Sequence, residues 1–105
     1  MLYVLWEYHV RGAKRRAFER HYAATGTWAK FFRRGRGYRG TTLLQDPDKR
    51  DRYLTIDCWE SLAAYRRFRR RHERGYSTLD KLFQHLTQQE RCLGYFLSVG
   101  QLRPR

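Results

Sequence analysis

The segment from Thr55 to Tyr65 carries side chains whose types and spacing suit work on an aromatic compound. Thr55, Asp57 and Trp59 alternate along a predicted strand and therefore share one face, and Tyr65 follows Trp59 by six residues. The Trp59 ring offers a flat apolar surface, while the carboxylate and the hydroxyls can orient a phenol or accept its proton. The alternative is structural: Trp59 and Tyr65 pack in the core, and Asp57 pairs with a buried arginine.

Residues on the neighbouring predicted helices extend this candidate site. His21 lies on the apolar face of the first predicted helix, from which it can face the same pocket. We predict that Trp59, Tyr65 and Asp57 are catalytic. The predicted substrate contacts are Thr55, His21, Tyr22, Phe68 and Phe83.

The cysteines and histidines do not indicate a metal site. Cys58 and Cys92 are too few and too far apart for a zinc site or a disulfide framework, and both fall in apolar segments. The four histidines lack a metal-like spacing such as His-x-x-x-His. We therefore expect no metal ligands in this chain.

Four predicted strands and the helices between them position these residues. Hydrophobic patterning predicts strands at Leu2–Val10, Tyr38–Gln45, Arg52–Trp59 and 91–99. Helices are predicted from residue 13 to Gly26, from a Thr27 cap through Phe32, from a Ser61 cap to Gly75, and from Ser77 to Leu86. This order predicts an α+β, ferredoxin-like βαββαβ fold with a four-stranded antiparallel sheet.

The sheet face that the helices leave bare predicts a second subunit. Leu54, Ile56 and Cys58 alternate toward that face, where an uncovered apolar surface would promote aggregation. We therefore expect a homodimer that packs sheet against sheet.

Composition favours one folded domain over residues 1–105. The chain has 23 Lys and Arg against 10 Asp and Glu, a net charge of +13, and an aromatic content of 16%. No leading basic and apolar segment marks a signal peptide or a membrane anchor, so we expect a cytoplasmic protein without membrane contact. The basic clusters lie on predicted helix surfaces, where they can attract an anionic ligand. No recognition motif accompanies them, so nucleic acid is not the expected partner.

Several runs of the sequence carry a family likeness. They are residues 28–34, residues 37–41, residues 52–61, and Ala64-Tyr65 with Phe68. Together they resemble the antibiotic biosynthesis monooxygenase family, whose third strand ends in Trp-Glu-Ser with an aromatic residue six positions after the tryptophan. The resemblance spans nearly the whole chain and implies a dimeric α/β barrel.

The resemblance implies a cofactor-independent oxygenase of a flat aromatic compound of the polyketide or quinol type. In such oxygenases the pocket uses a tryptophan and a tyrosine that correspond to Trp59 and Tyr65. It also uses an asparagine at the position that Thr55 occupies here. An electron-rich aromatic anion reacts with dioxygen directly, so we expect no bound cofactor.

Two alternatives stay open beside that function. Haem-degrading members of the family use an asparagine on the first strand, a second tryptophan where this chain has Phe68, and a later histidine. The chain contains no asparagine, and His72 or His85 would have to serve as the ligand. The second alternative is a non-catalytic basic protein that binds nucleic acid or another anionic partner.

Overall fold

A computed structural model of the chain describes residues 1–100, and its elements follow the predicted order. They are β1 (Leu2–Val10), α1 (Arg15–Tyr22), α2 (Thr27–Phe32), β2 (Tyr38–Gln45), β3 (Arg52–Trp59), α3 (Leu62–Arg71), α4 (Glu73–Phe83) and β4 (Thr87–Leu97). Short 3-10 turns at Gly12–Lys14 and Gln84–Leu86 precede α1 and follow α4. Ser61 caps α3 as predicted, because its side chain accepts a hydrogen bond from the Ala64 amide at 3.1 Å.

The four strands form one antiparallel sheet in the order β2-β3-β1-β4. The predicted α+β, ferredoxin-like fold is therefore confirmed. The strand register places the site residues over the middle of the sheet, because Trp6 lies opposite Thr55 and Thr41 lies opposite Asp57. On the adjacent edge strand, Glu90 lies opposite Tyr8.

The two faces of β3 differ in burial, as its alternating sequence predicts. Tyr53, Thr55, Asp57 and Trp59 are buried toward the helices. The other face carries partly exposed apolar side chains of β3, and β2 and β4 add Leu44 and Phe96, which are 44% and 51% exposed. The same face also carries Glu7, which pairs with Arg52 at 2.7 Å and with Arg91 at 3.2 Å, so the sheet face opposite the helical layer is apolar only in part.

The boundary between the last two helices differs from the prediction. Gly75 was expected to end α3, but α3 ends at Arg71 and Gly75 lies inside α4, which begins four residues before Ser77. The glycine allows close packing, since a Cβ at position 75 would lie 2.7 Å from the Phe31 ring. Its role here is contact between α4 and α2.

Two smaller boundaries also differ. The N-cap position of α2 is held by Gly26, not by Thr27. Thr27 is the first residue of the helix, and its hydroxyl lies 2.8 Å from Nδ1 of His21. The last strand begins at Thr87, four residues before the predicted start. The first residues of this strand are polar, so no alternation of apolar residues marks them in the sequence. They belong to the sheet because their backbone pairs with β1.

Aromatic side chains dominate the core between the sheet and the helices. Phe18, Trp28, Phe32, Trp59 and Phe68 are all at least nine-tenths buried. Within residues 1–100, no helix combines the length and apolar composition that crossing a bilayer requires.

Candidate active site

A small cavity lies between the sheet and the helices. Its free volume is about 30 Å³, which holds about two water molecules. Its aromatic walls are Trp6, Tyr8, Tyr22, Trp28, Phe32 and Tyr76. Its polar side chains are Thr41, Thr55, Asp57, Asp80 and Glu90.

Asp57 is the buried acidic group of this cavity. The side chain accepts a 2.6 Å hydrogen bond from the Thr41 hydroxyl, and the residue is 8% exposed. Burial raises the pKa of Asp57 from its ordinary 3.8 to about 6, although the Thr41 hydrogen bond opposes the shift. No lysine or arginine among residues 1–100 forms a salt bridge with it, so the structure does not show the buried ion pair considered above. The carboxylate is therefore buried, ionisable near neutral pH and available to a ligand.

Hydroxyl groups surround this carboxylate and fix its orientation. Thr41 has a single hydroxyl proton, which it donates to Asp57, so the Tyr38 hydroxyl at 2.5 Å donates to Thr41. Thr55 lies next to Asp57 on the same face of β3, and its hydroxyl donates to the Tyr8 hydroxyl at 3.4 Å. Burial holds the pKa of Tyr8 well above its ordinary value, so Tyr8 stays protonated as a donor.

A second pair of carboxylates lies nearer to solvent. Glu90 is partly buried and Asp80 is exposed, and both line the same cavity. Burial and the neighbouring Asp80 charge raise the pKa of Glu90. These two side chains give the mouth of the cavity a negative charge.

The predicted residues Trp59, Tyr65 and Phe68 do not line this cavity. Trp59 is fully buried, and its ring centroid lies 5.5 Å from Tyr65 and 5.1 Å from Phe68. The Tyr65 hydroxyl accepts a 2.9 Å hydrogen bond from Arg69, and burial raises its pKa to about 12. The three residues form a packed aromatic cluster, which contacts the cavity through Phe32, 5.8 Å from Trp59. Their catalytic and substrate-binding roles stay predictions.

The remaining predicted residues divide between the cavity and the core. Thr55 and Tyr22 line the cavity beside Asp57. His21 lies outside it and stacks on Phe83, with ring centroids 4.2 Å apart. Burial lowers the pKa of His21, which favours its neutral form.

Sequence reasoning missed most of the cavity lining, although signals for part of it were present. Trp6 and Tyr8 alternate along the first strand with the period that would place them on the face of Thr55. Glu90 was missed because the last strand was predicted to begin one residue after it. Trp28 and Tyr76 come from helices whose packing no local pattern specifies.

Arginine side chains collect around a separate groove of about 700 Å³. Its lining includes Arg34, Arg36, Arg67, Arg70 and Arg71, together with His72. None of these five arginines lines the acidic cavity. An anionic ligand would meet complementary charge in this groove.

The residues around the acidic cavity do not fit a haem. Neither His72 nor His85 lines it: His72 packs against Phe68 with ring centroids 4.7 Å apart, and Nδ1 of His85 lies 3.0 Å from the Leu82 carbonyl. Among the described residues, no group of three His, Cys, Asp or Glu side chains is arranged to hold a metal ion.

A sequence model described as antibiotic biosynthesis monooxygenase matches residues 1–74. The chain belongs to this family. The matched range contains β1 to β3 and α3, and therefore Asp57 with its hydroxyl partners. No curated protein matches the sequence significantly.

Solved structures share the fold over almost the full length. A mutant of SnoaB, a cofactor-independent oxygenase from Streptomyces nogalater, has 26% sequence identity and a TM-score of 0.80, with coverage of 98% of this chain and 97% of SnoaB. The monooxygenase from the gene ActVA-Orf6 of Streptomyces coelicolor, in complex with nanaomycin D, has 19% identity and a TM-score of 0.76. That match covers 99% of this chain and 92% of the other.

Proposed function

We propose that the protein is a cofactor-independent monooxygenase of a flat hydroxylated aromatic compound, and that Asp57 is its general base. The observation that carries this proposal is the buried Asp57 carboxylate, which lines an aromatic cavity without a cationic partner in the described chain. The family and the likeness to SnoaB support oxygen chemistry without a bound cofactor.

The chemistry begins with one proton transfer, from the substrate to the protein. Asp57 removes a proton from an activated CH₂ or phenol group, and the resulting anion gives electrons to dioxygen. For a CH₂ group, a hydroperoxide forms at the carbon and then loses water, so that CH₂ and O₂ become C=O and H₂O. Because the pKa of Asp57 is about 6, its carboxylate is mostly ionised at pH 7 and can accept the proton.

The closed cavity must open to admit a ring system. Its free volume of about 30 Å³ is far below that of an aromatic substrate. Trp6 and Tyr76 are the two aromatic lining residues that are partly exposed, whereas the other four are buried. Rotation of Trp6 is the less costly way to widen the entrance, because its ring has one aromatic neighbour among residues 1–100, Tyr8 at 6.4 Å, whereas Tyr76 packs against Trp28 and the Arg69 guanidinium.

The direct test is oxidation of anthrone in air by the metal-free protein. Wild type should form quinone and consume oxygen faster than buffer, and Asp57→Asn should lower kcat at least about 100-fold, the usual contribution of a general base. Asp48→Asn removes the same charge from an exposed turn and should keep the rate. Equal rates for wild type and Asp57→Asn would refute the assignment of the base.

We also propose that two copies of the chain form a homodimer through the bare sheet face. Leu44 and Phe96 are about half exposed on it, and β3 adds Leu54 and Ile56 between them. Half-exposed apolar side chains gathered on one sheet face favour an interface between subunits. Light scattering of the purified protein should give twice the mass of the chain, and a monomer at about 100 μM would contradict the proposal.

A further inference from the structure

The carboxylates of the cavity form none of the salt bridges that four of the other seven acidic residues have. Among residues 1–100, neither Asp57 nor Asp80 nor Glu90 forms a salt bridge. Four acidic residues elsewhere in the described chain pair with arginine, namely Glu7, Asp46, Asp51 and Glu60. With 23 basic residues available, the cavity nonetheless keeps an uncompensated negative charge.

Asp57 and the carboxylate pair at the mouth lie at different depths. Asp57 is 8% exposed and accepts one hydrogen bond from a described residue, the Thr41 hydroxyl on Oδ1. Its second oxygen is thus left for a ligand at the base of the cavity. Asp80 and Glu90 approach from α4 and β4, line the same cavity and carry like charges. A cation between these two would relieve their repulsion.

Aromatic rings line the wall between these carboxylates. The Trp28 ring centroid lies 5.0 Å from Tyr76 and 6.2 Å from Tyr22, and all three residues line the cavity. The faces of such rings carry negative electrostatic potential and attract cations. The Arg69 guanidinium already lies over Tyr76, 3.6 Å from the ring centroid, whereas no arginine or lysine among residues 1–100 lies over Trp28. Trp28 also buries its indole N–H near the Tyr22 hydroxyl without an aligned hydrogen bond to any described residue, so a donor is left for an acceptor atom of a ligand.

We propose that the mouth of the cavity binds a positively charged nitrogen, so that the preferred ligand is an aromatic compound that carries an alkylammonium group. The ammonium lies between Asp80 and Glu90 against the ring of Trp28, and the aromatic part points toward Asp57. The choice of an aromatic ligand rests on the proposed function. The ammonium preference rests on the charges and rings of the mouth.

Three phenols that differ in one terminal group test this preference by calorimetry at low salt. They are tyramine with an ammonium, 4-propylphenol with a methyl group, and 3-(4-hydroxyphenyl)propanoate with a carboxylate. Tyramine should bind at least about tenfold more tightly than 4-propylphenol, since a cation gains both carboxylate and ring contacts. 3-(4-Hydroxyphenyl)propanoate should bind most weakly of the three. If only overall charge mattered, the protein's net charge of +13 would favour this anion instead.

Single substitutions locate the effect. Glu90→Gln and Asp80→Asn should reduce the preference for tyramine over 4-propylphenol to about threefold or less, because each removes half of the negative pair. Glu73→Gln is the matched control: Glu73 begins the helix that carries Asp80, is exposed and does not line the cavity. This variant should keep the full preference.

The outcomes separate this inference from the proposed function. Equal affinities for the three phenols, tightest binding of the carboxylate, or no binding of tyramine at about 10 mM would overturn the ammonium preference. Selective tyramine binding by a protein that oxidises no anthrone would refute the proposed function and leave the preference standing. Anthrone oxidation by a protein that does not prefer tyramine would support the proposed function and refute the ammonium preference.

Discussion

Asp57→Asn should stabilise the folded protein at neutral pH while it removes the proposed base. Burial raises the pKa of Asp57 from 3.8 to about 6, so the folded state binds its proton more tightly than the unfolded state does. Stability from this group is fully present below pH 3.8 and is lost as the pH rises through about 6. At about 1.36 kcal/mol per pH unit, the ionised carboxylate costs about 3 kcal/mol at pH 7.5.

The asparagine variant carries no such cost. Its side-chain oxygen can accept the same hydrogen bond from Thr41, and its shape matches that of aspartate. Urea unfolding of both proteins at one protein concentration, from pH 3.5 to 7.5, measures the difference in the free energy of unfolding. As the pH rises from 3.5 to 7.5, the free energy of unfolding of the variant should increase by about 2 to 3 kcal/mol relative to that of wild type.

A matched control makes the result specific. Asp48→Asn removes a charge from an exposed turn residue, and its difference from wild type should stay flat with pH. A flat difference for Asp57→Asn, or one that favours wild type as the pH rises, would refute the claim that Asp57 ionises at a cost inside the cavity.

Three further predictions concern the hydroxyl partner, the sheet face and the helix contact. Thr41→Val should move the pH-rate midpoint upward from about 6 by about one unit, because it removes a hydrogen bond that stabilises the Asp57 carboxylate; an unchanged pH-rate midpoint would count against the network. Ile56→Asp should halve the mass measured by light scattering, because it puts a charge into the proposed dimer interface. Leu82→Asp should leave the mass unchanged, because Leu82 lies on α4, where its side chain is 57% exposed. Gly75→Ala should lower the free energy of unfolding by about 1 to 3 kcal/mol despite the better helix propensity of alanine, because its methyl group meets a phenylalanine ring at 2.7 Å; a stabilised variant would contradict the packing.

The strand pattern carried most of the fold prediction. Alternation along Leu2–Val10 and Arg52–Trp59, and the Asp and Pro turn that follows Tyr38–Gln45, predicted three strands with the bounds that the structure shows. The starts of the last strand and of α4 were predicted too late in the sequence. Both are decided by contacts between residues that are far apart in the sequence: strand pairing for β4 and helix packing for α4. Gly75 illustrates the difficulty, since a glycine reads as a helix end unless the ring packed against it is known.

The candidate site was predictable in part. Asp57, Thr55 and Tyr22 reach one cavity, and β3 alternation predicted the first two. Trp59 was expected at the pocket, yet its large ring fills the core under α3. The same face of β3 lies under the cavity at Thr55 and Asp57 and under packed helix side chains at Trp59. Which of these a residue meets depends on tertiary packing, not on spacing.

The pH dependence of anthrone oxidation tests the central claim most directly. The account predicts that kcat rises with pH through a midpoint near 6, levels off above it, and falls at least about 100-fold in Asp57→Asn. Quinone formation and oxygen consumption should change together. A rate in wild type no greater than in buffer, or a pH profile that Asp57→Asn leaves unchanged, would contradict the account.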